Sequence, residues 1–251
     1  MFWPESFIMS SIPKIIHQIW IGDEDKIPAS CLVFRDHMLN LHSDWEYKLW
    51  TQENIPELVN QEIFDALRSH VVFQSDIARY EILAHYGGVY IDWDMCLTKP
   101  IDELIEGTDH FFIEESGLNV TNSIYGVCQN HWLSWKAVRE AQQSFKRHNN
   151  SNLFFYPYKN YLVGVGAIFF SDLVLDAAKR VPINILPWQL FNPFKPVEFR
   201  RVNFDPDIPE YSFGMHTYNS VVDQTKIGAH RRLPEYERYR SLDERQKAEG
   251  I

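Results

Sequence analysis

Two aspartates separated by a single tryptophan, Asp92 and Asp94, are the residues best placed to do chemistry. They follow the apolar segment Val89–Ile91, which is predicted to be a short buried strand that ends in a loop. Alternate residues of an extended segment point the same way, so both carboxylates can face one ion. Charged oxygen ligands suit Mg²⁺ or Mn²⁺, and such an ion can hold a diphosphate. The pair indicates a sugar-nucleotide enzyme, although a D-x-D pair on its own is more often a solvated loop.

The helix predicted before this strand carries a second pair of charged residues. Ser75 is a good N-cap, and the helix predicted from it to Tyr86 ends at a pair of glycines. The helix is mostly apolar, which indicates that it is buried. Asp76 and Arg79 nevertheless lie on one of its faces. Because a buried charged pair needs partners, it is either an ion pair holding helix to sheet or a pair that faces the hydroxyls of a ligand.

The other predicted elements alternate between helices and short buried strands. Strands are predicted at 12–21, 45–50, 110–113 and 161–170. Helices are predicted from 51, at 62–70, and around 131–148 and 172–179, whereas 182–209 is predicted to be irregular. This alternation is typical of an open α/β sheet, in which ligands bind at the carboxyl ends of strands. Asp92 and Asp94 fall at such an end.

The composition is that of a folded and acidic protein. The chain has 251 residues, 45% of them apolar, and the simplest expectation is one domain spanning 1–251 with a charged tail at about 235–251. A net charge of −10 argues against binding to nucleic acid, but a bound metal could still attract a nucleotide. Cys31, Cys96 and Cys128 are widely spaced without a C-x-x-C pair, which indicates reduced thiols.

The sequence has no evident targeting or membrane-spanning segment. The N-terminus lacks the basic region and the long apolar run of a signal peptide. No window approaches the about 20 apolar residues that a membrane span requires. We therefore expect a soluble, cytoplasmic protein without a transmembrane segment, in which any membrane contact is peripheral.

The segment Ser75–Asp94 carries the pattern S-D-x-x-R-Y-x-x-L-x-x-Y-G-G-V-Y-x-D-x-D. This pattern resembles the DxD sugar-transferase family (glycosyltransferase family 32). The family groups fungal initiating mannosyltransferases, bacterial and viral capsular polysaccharide transferases, and the glucosyltransferase domains of clostridial toxins. The resemblance implies a GT-A fold, which is an α/β fold with an open mixed sheet flanked by helices. It also implies a retaining transfer of a sugar from a nucleotide-sugar, with Mn²⁺ or Mg²⁺ as the cofactor.

The resemblance assigns roles to the matching residues of this chain. Asp94 matches the direct metal ligand. Asp92 matches the residue that contacts the ribose, the sugar and metal-bound water. Asp76 and Arg79 match the pair that holds the hydroxyls of the donor sugar, and Ser75 matches a position near the nucleoside.

Two further positions match family residues that contact the donor or the acceptor. The segment Ile15–Asp23 resembles the opening I-H-x-x-W-I-G strand of the family, which makes Trp20 the candidate for stacking on the nucleotide base. The alternative is that Trp20 is an ordinary core aromatic. Asn122 matches an asparagine that faces donor or acceptor, with a turn-forming asparagine as the alternative. Glu114 and Glu115 are candidates for the acceptor side or for plain surface charge.

A histidine near the C-terminus is the last candidate. Family members often carry an H-x-x-x-S-W segment near the metal and the diphosphate. His216 and Ser220 keep this spacing, but Val221 replaces the tryptophan. His216 is therefore a candidate ligand for metal or phosphate, and a structural histidine is the alternative.

The sequence therefore favours a metal-dependent retaining glycosyltransferase that acts on a glycan or another hydroxyl acceptor. Trp20 favours a UDP-sugar donor, while GDP-mannose stays open. A nucleotidyltransferase is the rival enzyme class, but its glycine-rich phosphate loop is not visible in the sequence. A non-catalytic sugar-binding protein on a GT-A scaffold is the rival of a different class, and the intact charged residues argue against it.

Overall fold

The computed structural model describes residues 11–115, 119–149, 157–194, 208–217, 231 and 233–249. The strands in this part of the chain are β1 (Ile15–Trp20), β2 (Glu46–Thr51), β3 (Gly88–Ile91), β4 (Met95–Leu97), β5 (His110–Glu115), β6 (Asn119–Val127), β7 (Ile185–Leu186) and β8 (Gly214–His216). The helices are α1 (Ala29–Leu41), α2 (Gln61–Ala66), α3 (Val71–Tyr86), α4 (Asp102–Ile105), α5 (Trp132–Asn149), α6 (Pro157–Gly164), α7 (Ala167–Ala178) and α8 (Tyr236–Glu249). Single 3₁₀ turns lie at Glu24–Lys26 and Trp188–Leu190.

Six of these strands form one mixed sheet in the order β2-β1-β3-β6-β5-β7. β1 runs parallel to β2 and β3, whereas β6 is antiparallel to both of its neighbours, β3 and β5. β4 and β8 form a separate antiparallel pair. The expected α/β fold with an open mixed sheet flanked by helices is confirmed.

Apolar clusters bury both faces of the sheet. On one face, Tyr125 of β6 contacts Phe170 of α7 with ring centroids 4.7 Å apart. Tyr80 of α3 stacks on the same phenylalanine at 5.5 Å. The other face packs against α1 and α4 through residues that include Met38 and Leu104. Because both faces are covered, β3 is buried along its whole length and the sequence there is nearly continuous in apolar residues.

A glycine turn joins α3 to β3 and fixes where the D-x-D segment leaves the sheet. Gly87 has a φ of 64°, and a Cβ at this position would lie 2.5 Å from the backbone nitrogen of Gln129. A Cβ on Gly88 would lie 2.6 Å from the carbonyl oxygen of Ile15. Only glycine tolerates both the left-handed backbone and this close approach. The predicted end of the helix at the glycine pair is therefore confirmed.

Several predicted elements are wrong. Helix α3 begins at Val71, so Ser75 is not its N-cap but a buried residue inside the helix. The strand predicted at 161–170 is the end of α6 and the beginning of α7. The helix predicted from Thr51 is a turn, and the sequence analysis predicts neither α1 nor β6. The error at 161–170 has a physical cause, because a short apolar run is equally suited to a buried strand and to a buried helix.

One stretch, Asn160–Ala178, is long and apolar enough by length and composition to cross a membrane, which the sequence analysis did not anticipate. The structure divides it into two helices, α6 and α7, with a turn at Val165–Gly166. Half of the apolar window is buried inside the fold. Since core helices of globular proteins pass the same test, the stretch is weak support for a membrane span.

The charged C-terminal segment forms helix α8, which packs against α1. Asp36 of α1 accepts hydrogen bonds from Arg238 at 2.7 Å and from the Tyr239 hydroxyl at 2.6 Å. Just before α8, Glu235 accepts a hydrogen bond from the Asn40 side chain at 2.7 Å. The charged residues of the predicted tail thus attach it to the rest of the fold.

Candidate active site

Asp92 lies directly after β3, where the strand leaves the sheet. Its backbone N–H donates to the carbonyl oxygen of Ser123 on β6 at 2.8 Å, which extends the ladder by one residue. Its Oδ1 accepts a hydrogen bond from the Tyr90 hydroxyl at 2.6 Å and lies 3.4 Å from Arg79 Nη1. Because Tyr90 and Asp92 are alternate residues of an extended segment, they point the same way. The strand therefore holds the carboxylate in one orientation.

The pairing of β4 with β8 brings a histidine from far along the chain to Asp94. Met95 is paired with His216 in this ladder, so Asp94 lies beside the histidine. His216 Nε2 is 3.0 Å from Asp94 Oδ1. The N–H and the hydroxyl of Thr217 each donate to the Asp94 carbonyl oxygen at 2.9 Å. These contacts fix both the backbone and the carboxylate of Asp94.

Asp92, Asp94 and His216 form a group that fits a divalent cation. Each offers one ligand atom, and these atoms lie within 4.8 Å of one another. Carboxylate oxygens with one imidazole nitrogen suit Mn²⁺ and are compatible with Mg²⁺. Burial lowers the pKa of His216, but the charges of Asp94 and Asp92 raise it to about 9. A proton is therefore held among the three side chains, at a place where a cation would replace it.

Behind this group, α3 supplies a buried ion pair. Asp76 and Arg79 are each 4% exposed, and Arg79 Nη2 is 3.3 Å from Asp76 Oδ1. The Asn122 side chain donates to the same oxygen at 2.7 Å, and Arg79 Nη1 donates to the Asn122 carbonyl oxygen at 2.7 Å. Arg79 also donates to Ser75 Oγ at 3.2 Å and lies 4.2 Å from the centre of the Tyr90 ring. The guanidinium therefore ties α3 to both β3 and β6.

The balance of charges at the site favours the binding of an added cation. Burial raises the pKa of Asp76 to about 6, against the lowering effect of Arg79. Burial also raises the pKa of Asp92, where Arg79 opposes the increase and Asp94 adds to it. Three carboxylates thus share Arg79 and a protonated His216. A divalent cation would stabilise the ionised form of these carboxylates.

A pocket of about 420 Å³ opens in front of these residues. Its lining consists of Ile19, Trp20, Ile21, Pro28, Cys31, Val71, Val72, Ser75, Arg79, Tyr90, Asp92, Trp93 and Asp94. Trp20 and Trp93 meet edge to face with ring centroids 5.8 Å apart. The indole N–H of Trp20 donates to the Asp23 carbonyl oxygen, and that of Trp93 to the Ile19 carbonyl oxygen, each at 2.9 Å. The pocket thus combines a fixed aromatic wall with an acidic end.

A second group of possible metal ligands, Asp109, His110 and His131, lies at the opposite end of the sheet. His110 Nε2 accepts a hydrogen bond from the backbone N–H of Asn184 at 3.0 Å. His110 Nδ1 therefore carries the proton and donates it to Asp109 Oδ1 at 2.6 Å. Both ring nitrogens of His110 are engaged, so this group lacks the free lone pair that a third ligand requires.

Comparison with known proteins identifies a family that part of the chain resembles. Residues 28–111 match the family model of the glycosyltransferase sugar-binding region containing a DXD motif. About a third of the chain is therefore similar to the sugar-binding region of DXD glycosyltransferases. The resemblance to this family that the sequence predicts is thereby confirmed.

Among curated members and relatives, the chain is 33% identical over 179 residues to the mannosyl phosphorylinositol ceramide synthase SUR1 of Saccharomyces cerevisiae, covering 69% of this chain and 44% of the relative. It is 28% identical to inositol phosphoceramide mannosyltransferase 3 of Schizosaccharomyces pombe, covering 69% of this chain and 47% of the relative. A glycosyltransferase of Acanthamoeba polyphaga mimivirus, L373, is 26% identical, with 69% of this chain and 68% of the relative covered. The chain spans about half the length of the fungal relatives.

Solved structures confirm the GT-A fold that the DXD family implied. The UDP-bound glycosyltransferase domain of the YGT toxin superposes with a TM-score of 0.54 at 10% identity, covering 70% of this chain and 80% of that domain. The galactosyltransferase LgtC superposes with a TM-score of 0.51 at 12% identity, covering 90% of this chain and 99% of LgtC. At these identities the likeness concerns the fold alone.

The structure brings together the predicted site residues that fall in its described part. Those that line the pocket are Trp20, Ser75, Arg79, Asp92 and Asp94. The other three, Asp76, Asn122 and His216, contact members of that group. Ser220 lies outside the described residues. Asn122 is a residue of strand β6, so the alternative of a turn-forming asparagine is wrong.

Sequence reasoning missed three residues that shape the site. Tyr90 had a usable signal, because it precedes Asp92 by two positions on a strand and must share its side of the sheet. Trp93, the residue between the two aspartates, forms part of the pocket wall, and the sequence does not predict this role. Thr217 had no signal, since its role depends on the pairing of β4 with β8.

Proposed function

We propose that this protein is a metal-dependent retaining glycosyltransferase that moves a sugar from a nucleotide-sugar to a hydroxyl of a glycan or lipid-linked acceptor. The observation that carries the proposal is the convergence of Asp92, Asp94 and His216 at the acidic end of a pocket with an aromatic wall. The wall suits a nucleotide base, and the acidic end suits a cation that neutralises a diphosphate.

Asp94 and His216 would hold the cation, together with Asp92 directly or through water. When bound, a divalent cation supplies Lewis-acid stabilisation of the charge that grows on a departing diphosphate. The chain's own contribution is to fix the ligands. Tyr90 orients the Asp92 carboxylate through the 2.6 Å hydrogen bond, and Thr217 anchors the backbone of Asp94.

Asp76 and Arg79 would position the donor sugar. Asp76 Oδ1 accepts from Asn122 and faces Arg79, whereas its Oδ2 lies toward the backbone of Gly166 at the beginning of α7. We propose that Oδ2 accepts a hydrogen bond from a sugar hydroxyl, and that Arg79 keeps the carboxylate ionised for this purpose. The charge of Glu115 contributes to the raised pKa of His216, and we propose that Glu115 faces the acceptor.

The donor is proposed from two observations that point in different directions. Trp20, on the pocket wall, favours a uracil base through the family resemblance and supports a UDP-sugar. The names of the fungal relatives, which are mannosyltransferases or synthases of mannosyl lipids, support mannose as the sugar and keep GDP-mannose as the second candidate. Their names also favour an acceptor of the inositol phosphoceramide type.

Turnover of a donor panel tests the proposal. The protein would be incubated with UDP-glucose, UDP-galactose, UDP-N-acetylglucosamine or GDP-mannose, with Mn²⁺ or with EDTA, and the released nucleotide would be measured. We expect Mn²⁺-dependent release from one donor, and a loss of about 100-fold or more in Asp94→Ala. Asp65→Ala, on the exposed side of α2, is the matched carboxylate control and should retain activity. Activity retained in Asp94→Ala would contradict the assignment.

The same experiment separates the rival functions. Binding of a sugar or nucleotide without release from any donor would favour a non-catalytic sugar-binding protein. Release of pyrophosphate from a nucleoside triphosphate with a sugar phosphate would favour a nucleotidyltransferase.

A further inference from the structure

We propose that Gln246 of helix α8 is a positioning residue for the nucleotide pocket, which it holds in shape by capping the beginning of α1. Gln246 is not among the residues that line the pocket, and its two hydrogen bonds go to the backbone of Ala29 and Ile27. The inference rests on the proposed function, because it concerns the affinity of the same pocket for a nucleotide.

Gln246 makes a two-way contact with the first turn of α1. Its Oε1 accepts a hydrogen bond from the backbone N–H of Ala29 at 2.7 Å, and its amide donates to the Ile27 carbonyl oxygen at 3.0 Å. Gln246 is only 6% exposed. The residue at the N-cap position of α1 is Pro28, which provides no side-chain cap. The N-terminus of α1 has no cap from its neighbouring residues. Gln246, more than 200 positions along the chain, accepts the hydrogen bond of the Ala29 N–H instead.

The capped segment forms one wall of the pocket. Pro28 and Cys31 line the pocket, on the same lining as Trp20 and Trp93. Ile27 and Cys31 pack with Trp93 in a small apolar cluster, and Trp20 packs against that cluster. The position of the aromatic wall therefore depends on where the first turn of α1 lies.

Helix α8 is attached to α1 at a second place, farther along α1, and this attachment serves as an internal comparison. The Tyr239 hydroxyl donates to Asp36 of α1 at 2.6 Å. Asp36 lies seven residues along α1 from Ala29, which is about 10 Å of helix. None of the described residues at this second attachment lines the pocket. Loss of the Tyr239 hydroxyl should therefore loosen α8 without moving the pocket wall.

Removal of the Gln246 side chain should weaken nucleotide binding more than it slows chemistry. Without it, the Ala29 N–H and the Ile27 carbonyl lose buried partners, so the first turn of α1 would shift to reach water. The expected result is a Kd for nucleotide, and a KM for donor, raised about tenfold, with kcat changed by less than about twofold. A purely structural role would lower thermal stability without this split between KM and kcat.

Calorimetric titration of the whole chain with UDP and with GDP, in the presence of Mn²⁺, tests the inference. The variants are Gln246→Ala, Gln246→Glu, Tyr239→Phe and Arg240→Ala. Gln246→Glu keeps an acceptor for Ala29 but loses the donor to Ile27, so it should show an intermediate Kd and serves if Gln246→Ala does not fold. Among the residues that the structure describes, Arg240 pairs with glutamates of α8, and it is the surface control.

We expect weakened binding in both Gln246 variants and wild-type binding in Tyr239→Phe and Arg240→Ala. Wild-type Kd values in folded Gln246→Ala, or in Gln246→Glu, would overturn this inference and leave the proposed function standing. Equal weakening in Tyr239→Phe would also overturn it, because general docking of α8 would then account for the effect. If the wild-type chain bound neither nucleotide, the proposed function would fall, and this inference with it.

Discussion

Replacement of Arg79 by methionine should expose how strongly the buried charges behind the D-x-D pair depend on one another. Methionine keeps much of the volume of the arginine stem but removes the guanidinium. The Asn122 carbonyl oxygen and Ser75 Oγ lose their donors at 2.7 and 3.2 Å. Asp76 loses its cation at 3.3 Å, and Asp92 loses its cation at 3.4 Å.

The magnitude follows from burial. Arg79 and Asp76 are each 4% exposed, so water cannot replace the lost partner. Removing one member of a buried ion pair costs about 3–5 kcal/mol of unfolding free energy. In the Asp76→Asn background the side chain at position 76 is already neutral, so the cost of Arg79→Met should fall to about 1–2 kcal/mol, the cost of the hydrogen bonds that are lost. The coupling energy between the two positions is therefore about 2–3 kcal/mol.

Urea unfolding of the wild type, both single variants and the double variant gives this coupling directly. The measurement belongs at pH 7.5, because burial raises the pKa of Asp76 to about 6 and the carboxylate must be ionised. A coupling energy below about 0.3 kcal/mol would mean that the two side chains act independently. That result would refute the buried ion pair as the device that holds Asp76 in place.

Three further predictions concern other parts of the molecule. Burial lowers the pKa of His131 from 6.5 to about 4, so the unfolded chain binds protons more tightly and stability falls as the pH drops through this window. His131→Gln should flatten the pH profile of urea unfolding by about 3 kcal/mol between pH 6.5 and 4, and an unchanged profile would contradict the assignment. Gly87→Ala should lower the unfolding free energy by about 2 kcal/mol or more. The loss should be clearly larger than in Gly107→Ala, where φ is also positive but nothing lies within 4 Å of an added Cβ. Equal losses would refute the steric argument. Tyr90→Phe should lower kcat/KM about 10–30-fold in steady-state assays with little change in Tm. The reason is that it removes only the hydroxyl that donates to Asp92 at 2.6 Å. Wild-type kinetics in this variant would show that the hydrogen bond is dispensable.

The local parts of the site could be predicted from sequence. The glycine turn, the short strand β3 and the emergence of Asp92 from it all depend on residues that are neighbours in the chain. Helix α3 was predicted to be buried because it is apolar, and its charged pair was recognised as unusual for the same reason. These inferences rest on periodicity and on backbone conformations that few residues can adopt.

The remaining parts depend on contacts between residues that are distant in sequence. The 3.0 Å contact of His216 with Asp94 follows from the register of β4 against β8, which no local pattern specifies. The cap of α1 by Gln246 is of the same kind. The apolar run at 161–170 was misassigned because both a strand and a helix could bury it, and its packing against β6 decided the outcome.

The most direct test of the central claim is the binding of Mn²⁺ at the group formed by Asp92, Asp94 and His216. Free Mn²⁺ would be followed by electron paramagnetic resonance during titration with the wild type, Asp94→Asn and Asp109→Asn, each with and without UDP or GDP. We predict one site per chain that tightens with one of the nucleotides, is lost in Asp94→Asn and is kept in Asp109→Asn, since Asp109 belongs to the other group of acidic and histidine side chains. Nucleotide-dependent Mn²⁺ binding that survives in Asp94→Asn would contradict the account.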